Sequence, residues 1–326
     1  MKKTILTASL LFIATLCCMH VVSAQEPIWD ANKVVMTSKK LGEGVYAYYS
    51  SEAMAKESKG FPVATSGGFI VGDKGVLIID TMLNKRLYEQ LEKLITDTTD
   101  KSIIYAVNTS YHGDHSYGNM YLPGDTRIIQ HKSTKQYIDN NFAGDTQFMM
   151  QNFGKGRGIE EIRPIAADIL IPKGGKLTLE LGGKSVEIMD FGFAQTGGDL
   201  FIWEPESKVM WTGNPIATFK PSLPWLLDGH LVETLTSLQQ VYTFLPEDAR
   251  IVPGHGSVMM KKDLEWHIDY LATVKKEVET AIAEGLTLEQ TVERVKMPEF
   301  EGYALHGWVH PGLNVPAAYK DLSEKQ

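Results

Sequence analysis

Residues 67–81, GGFIVGDKGVLIIDT, constrain the fold more than any other stretch of the chain. Two runs of β-forming residues flank Gly72-Asp73-Lys74-Gly75, the signal of a hairpin turn. A different period follows. In NKRLYEQLEKLITDTT (84–99), Leu87, Leu91, Leu94 and Ile95 recur at helical spacing. SIIYAVNTS (102–110) then reads as a short buried strand. Strands alternating with helices build α/β layers, and such layers place ligand-binding residues at strand ends.

The same alternation runs through most of the sequence. GVYAYYS (44–50) and TRIIQH (126–131) read as strands and 132–142 as a helix. Residues 143–163 are weakly periodic with a Gly-rich centre, a helix passing into a loop. Within them FMMQNF (148–153) reads either as a lid or as buried helix. Two hairpins follow at 176–192, turning at Gly182-Gly183, and at 198–214, turning at EPES. An amphipathic helix spans 231–245, and ARIVPGHG (249–256) is a strand running into a glycine-flanked histidine. From 262 the composition shifts to a long helix ending at Gly285 and a second one beginning near Thr287. The expected division is a signal peptide at 1–24, an α/β domain at 25–261 and a C-terminal helical extension at 262–326.

The first segment has Lys2 and Lys3, an apolar run from Ile5 to Met19 and small residues before Ala24, the pattern of a secretory signal. Leu16 ahead of Cys17 departs from a lipidation motif, so cleavage after Ala24 and a periplasmic or secreted location are expected. Both cysteines leave with that segment, and the mature chain relies on its core rather than on disulfides. Its net charge is near −10 once two lysines are removed from 32 basic and 40 acidic residues. With no basic block, neither nucleic acid nor an anionic membrane is an expected partner. A small-molecule substrate is.

Three strand ends carry polar residues among glycines: 110–115, 192–199 and 253–256. His112, Asp114, His115 and His255 are suitable zinc ligands without sulfur. The plain alternative is a polar loop in which Asp114 caps the next helix. Two imidazoles and a carboxylate within four residues favour the ligand reading. His131, His230, His267, His306 and His310 lack such clustering and are read as structural or surface residues.

These motifs resemble the metallo-β-lactamase superfamily of metal-dependent hydrolases. The family pattern His-x-His-x-Asp-His stands here as Ser110-Tyr111-His112-Gly113-Asp114-His115. The second motif stands as Gln195-Thr196-Gly197-Gly198-Asp199, the third as Gly213-Asn214 and the fourth, intact, as Gly254-His255-Gly256. Asp80 matches the acidic residue that ends an early strand. The motifs fall in order over roughly 40–260. The resemblance implies an αββα four-layer sandwich of two mixed sheets with helices outside each.

Departures from the pattern are selective. In dinuclear members one metal takes the first two histidines of the first motif and the histidine of the second. This chain offers Ser110, His112 and Gln195 there. The other metal takes an aspartate and two histidines, matched in full by Asp114, His115 and His255. The bridging aspartate is Asn214. The resemblance therefore implies one zinc ion, with iron as the alternative metal, and a metal-bound hydroxide attacking a lactam, lactone, ester or thioester carbonyl. His112 and Asp114 would act at the reacting centre, His112 as general base or water-orienting group. Asn108, Thr109 and Asp199 would orient ligands from behind. Trp225 would form a substrate wall. The C-terminal helices resemble those used elsewhere for capping or dimerisation, which fits a homodimer. The competing reading is a metal-free binding protein on a degenerate version of the scaffold.

Overall fold

The computed structural model describes residues 33–61, 63–151 and 157–324. The expected signal peptide lies outside them. Seven strands form the first sheet in sequential order: β1 (Met36–Gly42), β2 (Val45–Ser50), β3 (Gly67–Gly72), β4 (Gly75–Ile79), β5 (Ile103–Val107), β6 (Arg127–His131) and β7 (Ile169–Ile171). The first four pair antiparallel and the last four parallel. The second sheet holds β8 (Lys176–Glu180), β9 (Ser185–Met189), β10 (Phe201–Glu204), β11 (Val209–Gly213), β12 (Arg250–Pro253) and β13 (Met259–Met260), again in sequential order. Only β11 and β12 pair parallel in it.

The helices are α1 (Ala53–Glu57), α2 (Lys85–Thr96), α3 (Gly113–Ser116), α4 (Lys132–Met149), α5 (Leu231–Phe244), α6 (Glu265–Ala283), α7 (Leu288–Arg294), α8 (His306–Val309) and α9 (Val315–Glu324). None among the described residues is long and apolar enough to cross a membrane.

Period-two alternation explains the layering. In β4, Leu77 and Ile79 face a core shared by the two sheets, while Val76 and Ile78 join Leu87, Leu91 and Ile95 of α2. In the second sheet, Ile202, Val209, Trp211 and Val252 face inward. Phe201, Trp203, Met210 and Ile251 face outward against α5, α6 and α9. A strand covered on both sides reads as a continuous apolar run, as GVLII does. The result is helix, sheet, sheet, helix, the four-layer arrangement that the resemblance implied.

The Gly182-Gly183 and EPES turns fall between paired strands as expected. The helix read at 132–142 and the one read at the start of 143–163 form a single element, α4, which runs to Met149 and carries Phe148 to the pocket described below. The long helix read from 262 opens instead with a 3₁₀ turn at Lys261–Leu264, where the Asp263 carboxylate accepts from the Met260 N–H at 2.8 Å, and α6 starts at Glu265. The C-terminal helices share one core with the outer face of the second sheet.

Trp211 fills the middle of the inter-sheet core, and Gly68 of the opposite sheet lies against it. A Cβ at Gly68 would overlap the Trp211 indole and press on the Tyr46 carbonyl. Gly68→Ala is therefore expected to cost about 1–3 kcal/mol by overpacking. Part of that cost should vanish in a Trp211→Leu background, as a double-mutant cycle by chemical denaturation would show.

Candidate metal centre

The three complete ligands arrive from two strand ends. His112 has extended backbone, and the chain then turns into α3, which holds Asp114 in its first turn and His115 in its last. His255 follows β12. Asp114 Oδ2 lies 3.3 Å from His255 Nε2 and 3.6 Å from His115 Nε2. All three ligand atoms lie within 4.8 Å of one another. His115 is fully buried, and the Asp114 side chain is 22 % exposed.

Both imidazoles are oriented from behind. His255 Nδ1 donates to the Val63 carbonyl at 3.0 Å, and His115 Nδ1 donates to Asp80 Oδ2 at 2.7 Å. Each Nε2 is thereby turned towards Asp114. Asp80 is itself fixed: Oδ1 accepts from the Thr109 N–H at 2.8 Å and Oδ2 from the Thr109 hydroxyl at 2.9 Å. It sits in the left-handed backbone region at φ 61°, which aspartate tolerates better than bulkier residues. Thr65 donates to Asp114 Oδ2 at 2.7 Å.

The charges are strongly coupled. Burial opposes ionisation of Asp114, but His115, His255 and His112 outweigh it and hold the carboxyl down at about 2. Burial also opposes charge on His115, yet the Asp80 and Asp114 carboxylates push it up to about 9. His115 is then an imidazolium, its Nε2–H donating to Asn214 Oδ1 at 2.8 Å. That proton stands where a cation would sit, between two imidazole nitrogens and a carboxylate. The residues present fit a metal ion with three protein ligands. Burial depresses His255 and also His112, to about 4, so both imidazoles are neutral at pH 7.

The other metal position of the superfamily pattern is occupied by a neutral network. Ser110 Oγ is 3.0 Å and Asn214 Nδ2 3.2 Å from His112 Nδ1. Asn214 thus links His112 to His115. Gln195 is buried beside the same pocket, its amide oxygen without a partner among the described residues.

Thr109 supports His115 through Asp80, whereas Asn108 and Asp199 hydrogen-bond to the backbone of the site loops. Asn108 Nδ2 donates to the His115 carbonyl at 3.1 Å, fixing the loop rather than the ring. Asp199 accepts from the N–H groups of Gln195 and Thr196, each at 2.7 Å, and shapes the loop that carries Gln195. Burial raises its pKa to about 6 against those donors. Trp225 lines a pocket of about 210 Å³ that contains His112, Asp114, Gln195, Asn214 and His255. His230 is less isolated than its sequence position suggested: its ring nitrogen clusters with carboxylates of Glu233 and Asp321. That group surrounds the N-terminal turn of α5, where the helix dipole disfavours a cation.

Several contributors carry no motif. Glu57, 1 % exposed, accepts from the Ser257 N–H and the Thr218 hydroxyl, both at 2.9 Å, and from the Ser257 hydroxyl. Ser66 bonds both ways to Gly256. Together they brace the loop bearing His255. Tyr303 and Trp308 of the C-terminal segment complete the pocket wall.

Comparison with known proteins agrees with this geometry. The family model described as the metallo-beta-lactamase superfamily matches residues 60–255. A metallo-beta-lactamase from Pontibacter korlensis superposes with a TM-score of 0.58 at 16% identity, covering 73% of this chain and 99% of that one. The DIM-1 metallo-beta-lactamase gives 0.56 at 18% identity, covering 73% and 97%. The stereoselective inverting sec-alkylsulfatase Pisa1 from Pseudomonas sp. gives 0.69 at 16% identity, covering 88% of this chain and 50% of that one. The structural likenesses establish the fold, the family model covers more than half of the sequence, and the chain belongs to the metallo-beta-lactamase superfamily.

Proposed function

We propose that the protein is an exported hydrolase that works with one zinc ion held by Asp114, His115 and His255. The observation that carries this reading is the contrast between the two halves of the site. Asp114 and two pre-oriented imidazoles converge on one point, whereas Ser110, His112 and Asn214 satisfy one another. Superfamily membership supports hydrolysis, and neighbours named as metallo-beta-lactamases and as a sec-alkylsulfatase leave the bond to be cleaved open.

Zinc bound here would act as a Lewis acid, polarising the electrophile and making water nucleophilic near neutral pH. The chain's own groups do the remaining work. Asp80 and Val63 keep His115 and His255 in the ligating tautomer. Thr65 holds Asp114 Oδ2 in place. Asn214 donates to His112 Nδ1, which leaves the His112 proton on Nε2, the nitrogen free to donate into the pocket. A carbonyl oxygen of a lactam, lactone, ester or thioester is a suitable acceptor for it. The second reading, a metal-free binding protein, draws on Ser110, Gln195 and Asn214 at the first-metal positions.

Mature protein purified without chelators is expected to carry about one zinc per chain. Asp114→Ala should lose it, because no other anionic ligand is present. Protein that binds no zinc after zinc is added back would establish the binding-protein reading instead. Export is checked by sequencing the N terminus of protein recovered from outside the cytoplasm, which should begin at Gln25.

Zinc must displace the Nε2 proton of His115, so pH tests the ligand set directly. The group is raised to about 9, protonated below that value and deprotonated above it. Apparent zinc affinity should rise roughly tenfold per pH unit between pH 7 and 9, then level off. Asp80→Asn removes the main support of the imidazolium, and competition titrations should show a flatter rise.

A further inference from the structure

We propose that the pocket beside the metal centre takes an uncharged substrate whose body is an aromatic or short alkyl group, and discriminates against substrates that carry an anionic group. This rests on the hydrolase reading above and narrows its substrate class. The first observation is charge. Among the described residues lining the pocket, Asp114 is the only carboxylate, and there is no Lys or Arg. An anionic group away from the metal would lose its water without gaining a counter-ion.

The second observation is the wall. Phe148 and Leu227 line the pocket together with Trp225 and Trp308, whose rings touch edge to face with centroids 5.1 Å apart. Phe148 is 56% exposed, Leu227 38% and Trp308 50%. Large apolar side chains left exposed around one opening mark a ligand surface. The volume, about 210 Å³, is large enough for a phenyl or small branched group.

A third feature tells against an apolar ligand with no polar atoms. Gln195 is 4% exposed and lines the pocket with its amide oxygen unpartnered. A neutral amide is well matched by a neutral hydrogen-bonding group on the substrate. Tyr303 and Trp308 also lie outside the segment matched by the family model, so part of this wall is supplied by the chain's own C-terminal part.

The test uses the zinc-loaded full chain and two probes of one skeleton, N-phenylacetylglycinamide and N-phenylacetylglycine, titrated by tryptophan fluorescence. The neutral amide should bind at least about tenfold tighter than the acid. Trp308→Ala, at a half-exposed position, should weaken the amide about tenfold without changing zinc content. Equal or tighter binding of the acid overturns the proposal, as does unchanged affinity in Trp308→Ala. A parallel assay compares p-nitrophenyl phenylacetate with mono-p-nitrophenyl succinate. Zinc-dependent cleavage of the first with at least tenfold higher kcat/KM is expected. Equal cleavage of both overturns the substrate class and leaves the hydrolase reading intact. Neutral-probe binding without any cleavage overturns the hydrolase reading and leaves the pocket's preference standing.

Discussion

The buried pair between Asp80 and His115, 2.7 Å apart, is the constraint on which the site depends. Both groups are removed from water, so each needs the other: a lone buried charge costs several kcal/mol. Asp80 ends β4 and Thr109 follows β5, and these neighbouring parallel strands fix the carboxylate with two hydrogen bonds. The ring of His115 is therefore set by the first sheet before any ligand arrives. Through Nε2 it reaches Asn214, at the end of β11 in the second sheet. One imidazole thus joins the two sheets at their common edge, and the metal position lies on that seam.

The seam also explains why the two halves of the ancestral pattern differ. On one side, buried anions and imidazoles create a strong preference for positive charge, met by a proton or by a metal. On the other, Ser110, His112 and Asn214 form a hydrogen-bonded set with no net charge. A hydroxyl and an amide ligate zinc poorly, but they satisfy His112, which burial keeps neutral. Among the described residues these side chains leave few polar groups unmet, the Gln195 amide oxygen being one.

The sequence revealed the layers because strands buried on both faces show as apolar runs, and α2 shows the 3.6 period. It revealed Asp114, His115 and His255 because they sit in compact motifs at strand ends. It could not reveal Glu57, Thr65 or Val63. Glu57 works from a short helix some 200 residues away in sequence from Ser257, and Val63 acts only through its carbonyl, which any residue supplies. Asn108 and Asp199 were legible as polar residues near the site, yet their hydrogen bonds go to backbone, a choice that spacing does not encode.

The placement of Tyr303 and Trp308 has a consequence for how such a protein diversifies. The candidate metal ligands and their supports come from loops at the rim of the two sheets, whereas part of the pocket wall comes from the segment after the last strand. Part of the pocket wall and the candidate ligands therefore sit on different stretches of polypeptide. Mutations around Trp308 can remodel what enters without disturbing the hydrogen bonds that hold the imidazoles. A tail joined to the second sheet's outer core is free to explore new ligands while the older centre stays intact.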